Sequence, residues 1–245
     1  MSSFLVWREE GHKYNCSTSE AFMMVLITAI TNFACMPALC LLYKKNLVFE
    51  TYVGVFTFVT SFMYHFVESI GAEKLFMKEL EWHQLDNIGA IMCFITVFIH
   101  MANFQNYNLQ MQLNYSAMFI VIILQVADPW NLTFTVAPIV IYALIIIALA
   151  IYLKTQPFTN RQMTIKGFSL IFLGAIFFSL SQDEHTDYLR IYHGLWHSVI
   201  GLSAIYTWQS HEKEGEEVYI TTHVNDNKID KTKRMNELKE ELVII

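Results

Sequence analysis

Five side chains that could do chemistry together lie within apolar stretches of the sequence. Ser61 and His65 stand four positions apart in one stretch, and Asp86 opens the next. His193 and His197 repeat the four-residue spacing near the end of the apolar part of the chain. Because residues i and i+4 lie on one face of a helix, the members of each pair would point into the same space.

Imidazoles from two facing helices can share one metal ion. A set of three histidines leaves one coordination position open, which is typical of catalytic zinc, and bound zinc lowers the pKa of water toward ~7. We therefore predict that His65, His193 and His197 bind Zn²⁺. Asp86 would accept a proton from the water or orient it, and Ser61 would hydrogen-bond the ligand or a developing oxyanion.

The composition predicts which elements hold these residues. Apolar residues make up 54% of the chain and charged residues only 16%, against about 25% charged residues in soluble domains. A membrane helix needs about 20 mainly apolar residues. We predict an all-α, polytopic membrane protein, a bundle of seven transmembrane helices. The predicted spans are residues 21–43, 52–72, 85–104, 113–127, 132–153, 165–180 and 189–208.

Short polar links between the spans force neighbouring helices to run antiparallel. His65 falls in the later half of the second span, and Asp86 falls at the start of the third. His193 and His197 lie at the start of the seventh span, which begins on the same side. The sequence thus predicts that three helices bring these four residues to one half of the membrane.

Polar segments flank the predicted bundle and define three regions: an N-terminal arm (1–20), the helical domain (21–208) and a charged tail (209–245). The arm has no apolar core, so it is not a cleavable signal peptide. The excess of Lys and Arg on the side of the tail predicts a cytosolic C-terminus. The tail, with a possible amphipathic helix at 228–242, is where partner membrane subunits would bind, and nothing indicates nucleic-acid binding.

Simpler explanations exist for each polar residue taken alone. Histidines in spans can tie helices together by hydrogen bonds of about 0.6–2 kcal/mol, and an i, i+4 pair does not by itself face a haem from both sides. We expect His83, His100 and His185 to be interfacial or packing residues. Glu68 is either a carboxylate supporting a ligand or a plain interfacial group.

These motifs resemble those of the CREST superfamily of seven-span membrane hydrolases, which includes alkaline ceramidases and adiponectin receptors. That family carries Ser-x-x-x-His in the second span, Asp near the third and His-x-x-x-His in the seventh. The chain is similar in particular to the branch containing myomaker and a GPI-specific phospholipase A2. The motifs that carry this likeness are Tyr64-His65 with Glu68, Asp86-x-x-Gly89 and His193-Gly194-Leu195-Trp196-His197.

The resemblance implies a zinc-dependent hydrolase that cleaves an amide or ester bond of a membrane lipid entering from the bilayer. The alternative is a catalytically silent subunit of a larger membrane complex, in which the metal only staples the helices. The resemblance favours an endomembrane or the plasma membrane, and an organellar inner membrane is also possible.

Overall fold

A computed structural model describes residues 3–7, 13–70, 76–157, 159–183 and 186–210, with side chains from Ser17 onward. Helices dominate it. They are α1 (Thr18–Lys44), α2 (Val48–Ile70), α3 (Glu79–Met101), α4 (Tyr107–Ala127), α5 (Leu132–Tyr152), α6 (Arg161–Leu180) and α7 (Ile191–Thr207). Two short strands, β1 (Ser3–Trp7) and β2 (Lys13–Ser17), pair antiparallel before α1. No pattern in the sequence predicted this pair of strands.

Six helices, α1 to α6, are long and apolar enough to cross a membrane. Their outward faces carry large apolar side chains, such as Leu144, which is 62% exposed. Such faces suit contact with lipid, and the protein is a multi-pass integral membrane protein. Helix α7 has 17 residues, fewer than the roughly 20 that span the hydrocarbon core, so a seventh crossing stays a prediction.

Three sequence predictions lie outside the described residues. Residues 211–245 contain nearly all of the predicted tail, including the amphipathic segment 228–242 and the proposed contact with partner subunits. His185 also falls in an undescribed position.

Helix α1 changes its hydrogen-bonding pattern three times along its length. An α-helical start is followed by a π-helical segment at Val25–Ala29 and a 3₁₀ segment at Ile30–Cys35, and the α-helix resumes at Met36. Thr28 Oγ1 donates to the Met24 carbonyl at 2.8 Å, and Asn32 Nδ2 donates to the Thr28 carbonyl at 2.9 Å. These side chains give backbone carbonyls of the irregular segment a hydrogen-bond donor, in a setting where an unpaired carbonyl is costly.

The irregular part of α1 is also where α7 approaches most closely. A side chain at Gly194 would collide with the backbone carbonyl of Ile27, and one at Gly201 would lie 2.7 Å from the Ala34 carbonyl carbon. Only glycine leaves room for this backbone contact. The contact fixes the height of α7 and therefore the height of the histidines that it carries.

The remaining helices pack in two groups around a shared interior. Helix α3 packs against α2, α4 and α5, with Ile91, Ile95, Val121 and Ile146 in their common core. Helix α6 packs along α7. Although α5 and α6 are consecutive in the chain, they are not packed together along their lengths. Every other pair of consecutive helices in the described chain packs together.

We predict that Gly194→Ala destabilises the protein and that Gly54→Ala does not. The new methyl group at residue 194 meets backbone, which cannot move, whereas at residue 54 it meets the tip of the Leu39 side chain. Overpacking of this kind costs about 1–3 kcal/mol, while alanine gains up to about 1 kcal/mol of helix propensity over glycine. Thermal unfolding of both variants in detergent checks this. Equal melting temperatures would contradict the role given to the α1–α7 contact.

Candidate metal centre

The three predicted histidine ligands meet at one point inside the bundle. Nε2 of His65 lies 3.1 Å from Nε2 of His193 and 3.0 Å from Nε2 of His197. His65 is fully buried, and the other two are partly buried. The sequence prediction that α2 and α7 bring these residues together is confirmed.

The geometry of this cluster fits a metal ion. Zinc–nitrogen bonds of about 2.0–2.1 Å in a tetrahedron separate the ligand nitrogens by roughly 3.3 Å, close to the separations here. No fourth histidine, cysteine or carboxylate joins the cluster among the described residues. The three imidazoles can therefore hold a cation while leaving one position for another ligand.

A buried chain of charges orients His65. Its Nδ1 lies 2.9 Å from Oε2 of Glu68, so a proton on Nδ1 is donated to the carboxylate and Nε2 keeps its lone pair for a metal. Oε1 of Glu68 accepts from Nη2 of Arg190 at 2.7 Å and from Nε at 3.3 Å. Both charged side chains are at least 96% buried. Glu68 is thus the supporting carboxylate, not a plain interfacial group.

The turn before α7 places His193. Arg190 adopts a left-handed backbone conformation, with φ of 59°, directly before the helix. The Asp187 carboxylate accepts from the backbone N–H of Tyr192 at 3.0 Å and of His193 at 3.2 Å, which caps the start of the helix. Nδ1 of His193 lies 3.4 Å from the Ser181 hydroxyl, so a proton there again frees Nε2.

The two predicted catalytic residues lie next to the cluster. Oδ2 of Asp86 is 3.9 Å from Nε2 of His65. The hydroxyl of Ser61 is buried beside the Asp86 carboxyl, without a hydrogen bond of ordinary geometry to any described residue. One turn after Asp86, a side chain at Gly89 would collide with Thr57 of α2. Glycine there lets α3 approach α2 and brings the carboxylate to the histidines.

A cavity of about 420 Å³ extends from this cluster through the bundle. His193, His197, Asp86 and Ser61 line one part of it, and the lining continues along α7 to Thr207. Most of the other lining residues are apolar, and they come from α1, α2, α3, α5, α6 and α7. The volume falls within the range of about 300–1,000 Å³ that is typical of ligand pockets.

Two buried histidines of α3 differ in their surroundings. His83 lines the cavity and stacks on Trp130, with ring centroids 3.7 Å apart. His83 thus packs against an aromatic ring, as expected, and in addition lines the cavity, which was not expected. His100, which packs against Trp208 with ring centroids 4.9 Å apart, is not among the lining residues.

The roles of Arg190 and Asp187 could not be predicted from the sequence. Arg190 falls at the start of the seventh predicted span and Asp187 just before it, and their roles depend on a turn with positive φ that no local sequence pattern indicates. One signal was available for the ion pair: an acidic residue such as Glu68 within a span usually needs a partner. Arg190 is the basic residue closest in sequence to His193.

Comparison with known proteins shows the family but no function. The model of the family DUF3522, described as protein of unknown function, matches residues 20–198, well over half of the chain. The chain therefore belongs to this family. The matched range contains the three histidines, Asp86, Ser61 and the Glu68–Arg190 pair. No curated protein matches the chain.

We predict that Glu68→Gln weakens metal binding by about 10- to 100-fold, the usual cost of losing a carboxylate that orients a histidine ligand. Glu50→Gln is the matched control, since Glu50 lies at the other end of the same helix. Competition with a chromogenic chelator, using Zn²⁺ or Co²⁺, measures the affinity.

The double variant Glu68→Gln/Arg190→Gln separates orientation from stability. The single variant Glu68→Gln leaves the buried charge of Arg190 unpaired, whereas the double variant leaves none. We therefore expect the double variant to melt at a higher temperature than Glu68→Gln while its metal affinity stays equally low. Unchanged affinity in Glu68→Gln would show that the carboxylate does not orient His65.

Proposed function

We propose that this member of the DUF3522 family is a zinc-dependent hydrolase that cleaves an amide or ester bond of a membrane lipid. The observation that carries the proposal is the convergence of three imidazole Nε2 atoms beside the Asp86 carboxylate on an internal cavity. Structural zinc sites have four protein ligands, whereas catalytic sites keep one position open. Three ligands and an adjoining cavity favour catalysis.

The residues around the cluster suit acyl transfer to water. Bound zinc would supply activated water at neutral pH and polarise the substrate carbonyl. Asp86 takes a proton from the attacking water and delivers it to the leaving amine or alcohol. The buried hydroxyl of Ser61 donates to the oxyanion that develops on the carbonyl oxygen. Oxygen from water is thereby added to the acyl carbon as the amide or ester bond breaks.

The cavity suits a lipid chain. It follows α7 from His193 to Thr207, about 20 Å at 1.5 Å per residue, which exceeds the roughly 15 Å of one leaflet's hydrocarbon. Helices α5 and α6 both line it without packing together. We propose that a lipid enters laterally between them, with its scissile carbonyl at the histidines and one chain along α7.

Resemblance to the CREST superfamily also supports the proposal of a zinc-dependent lipid hydrolase. The Ser, His, Asp and His-x-x-x-His motifs stand in that family's order. We propose on this basis that α7 is the seventh crossing, that the C-terminus is cytosolic, and that the protein resides in an endomembrane or the plasma membrane.

We predict that Asp86→Asn retains zinc but loses lipid hydrolysis by about 10²- to 10⁴-fold, because the proton acceptor is gone while the three imidazoles remain. The double variant His193→Ala/His197→Ala should lose both zinc and turnover. Metal content by elemental analysis and fatty-acid release from ceramides, phospholipids and GPI lipids, followed by mass spectrometry, measure the two properties.

His100→Ala is the control, since His100 is buried in α3 but does not line the cavity. Wild-type turnover in the metal-free double variant would refute the proposal. Stoichiometric zinc with no turnover on any lipid, together with co-purification of other membrane proteins, would instead support the accessory subunit whose metal only staples α2 to α7.

A further inference from the structure

His83 is a second polar group that lines the cavity, and the Tyr64 ring separates it from His65 of the metal cluster. His83 is 7% exposed, and its ring lies between Tyr64, at 4.8 Å between centroids, and Trp130, at 3.7 Å with an interplanar angle of 20°. Two aromatic neighbours thus hold the imidazole in place. All three residues line the cavity.

The neighbours of His83 are themselves fixed. Asn87 Nδ2 donates to the Pro129 carbonyl at 2.8 Å and to Gln125 Oε1 at 3.0 Å, which anchors the turn that carries Trp130. Trp130 is 36% exposed, so this part of the cavity adjoins the surface of the bundle. His83 is therefore a preformed group near a mouth of the cavity.

One ring nitrogen of His83 has no hydrogen-bond partner within the described part of the chain. Its Nδ1 is buried and has no partner among residues 17–70, 76–157, 159–183 and 186–210. Most buried polar atoms have a hydrogen-bond partner, because leaving one unpaired is costly, so this nitrogen calls for an explanation. Because His83 and Asp86 lie three residues apart on one helical face, a ligand at the metal cluster would also pass His83.

The charges around the cavity limit what this ligand can be. Among the described lining residues, Arg190 is the only Lys or Arg, and Glu68 already occupies its guanidinium. Asp86 lines the cavity one turn from His83, so a phosphate bound at His83 would meet a carboxylate and no free Lys or Arg side chain among the described lining residues. A hydroxyl group is uncharged and can either donate or accept, so it satisfies Nδ1 in either tautomer of the imidazole.

We propose that His83, held between Tyr64 and Trp130, binds the hydroxyl group of an uncharged lipid headgroup. The direction in which the lipid lies is taken from the proposed function. The binding test of His83 does not require that the protein hydrolyses lipid. His83 acts as a binding residue that selects headgroups, separate from the groups that act on the scissile bond.

The test compares three single-chain probes that differ only in their heads: 1-oleoylglycerol, 1-oleoylglycerol 3-phosphate and methyl oleate. Binding to the purified full chain is titrated by native mass spectrometry. We expect 1-oleoylglycerol to bind at least tenfold more tightly than its phosphate. His83→Phe keeps an aromatic ring between Tyr64 and Trp130 and should weaken 1-oleoylglycerol about tenfold while leaving methyl oleate unchanged.

Two further variants make the result specific. His83→Asn keeps a polar atom near the Nδ1 position and should bind 1-oleoylglycerol within about threefold of wild type. His100→Phe makes the same substitution in the same helix outside the cavity and should change nothing. Equal weakening of 1-oleoylglycerol and methyl oleate in His83→Phe, or no weakening of either, would overturn the proposal.

The same titration in the His193→Ala/His197→Ala background keeps the two proposals apart. If lipid binding in the double variant still depends on His83 while the wild-type protein hydrolyses no lipid, the headgroup site is supported and the hydrolase proposal is refuted. If the wild-type protein hydrolyses lipids but lipid binding does not depend on His83, the hydrolase proposal is supported and the headgroup site is refuted.

Discussion

The buried ion pair between Glu68 and Arg190 is the constraint on which the site depends. It joins the end of α2 to the turn before α7, and its carboxylate also orients His65. Burial of two charges costs several kcal/mol per ion before their attraction is counted, and removing one partner typically costs about 3–5 kcal/mol. Such a pair is poor evidence of net stability. The ion pair instead determines position, because it can form in only one register of α2 against α7, the two helices that carry the three histidines.

Close backbone contacts between helices also fix the positions of the site residues. Gly194 lets α7 touch α1, and Gly89 lets α3 approach α2 one turn from Asp86. Between helices in a membrane there is little hydrophobic driving force, so packing of small residues carries more of the association. Both glycines lie within five residues of a group in the site. The same contacts that hold the bundle together therefore set the distances among its polar groups.

Helical periodicity explains why much of the site could be predicted. Spacings of four residues placed Ser61 with His65 and His193 with His197, and alternating span direction brought the two pairs together. The same rules cannot show Arg190, whose role depends on a positive φ and on Glu68, 122 positions earlier. They also cannot separate His83 from His100, since both are buried histidines of one helix. Which of them faces the cavity depends on how α3 is rotated against its neighbours.

The charges of the site link the protonation of Asp86 to the binding of a metal ion. The charges of Glu68 and Arg190 cancel, and three neutral imidazoles add none, so the carboxylate of Asp86 is left over. Its only ion-pair partner among the described residues is His65, which Glu68 already engages. An isolated carboxylate in a low-dielectric interior is costly. A divalent cation on the three imidazoles would stabilise the charged form of Asp86, whereas without a cation the buried carboxyl avoids that cost only by taking up a proton.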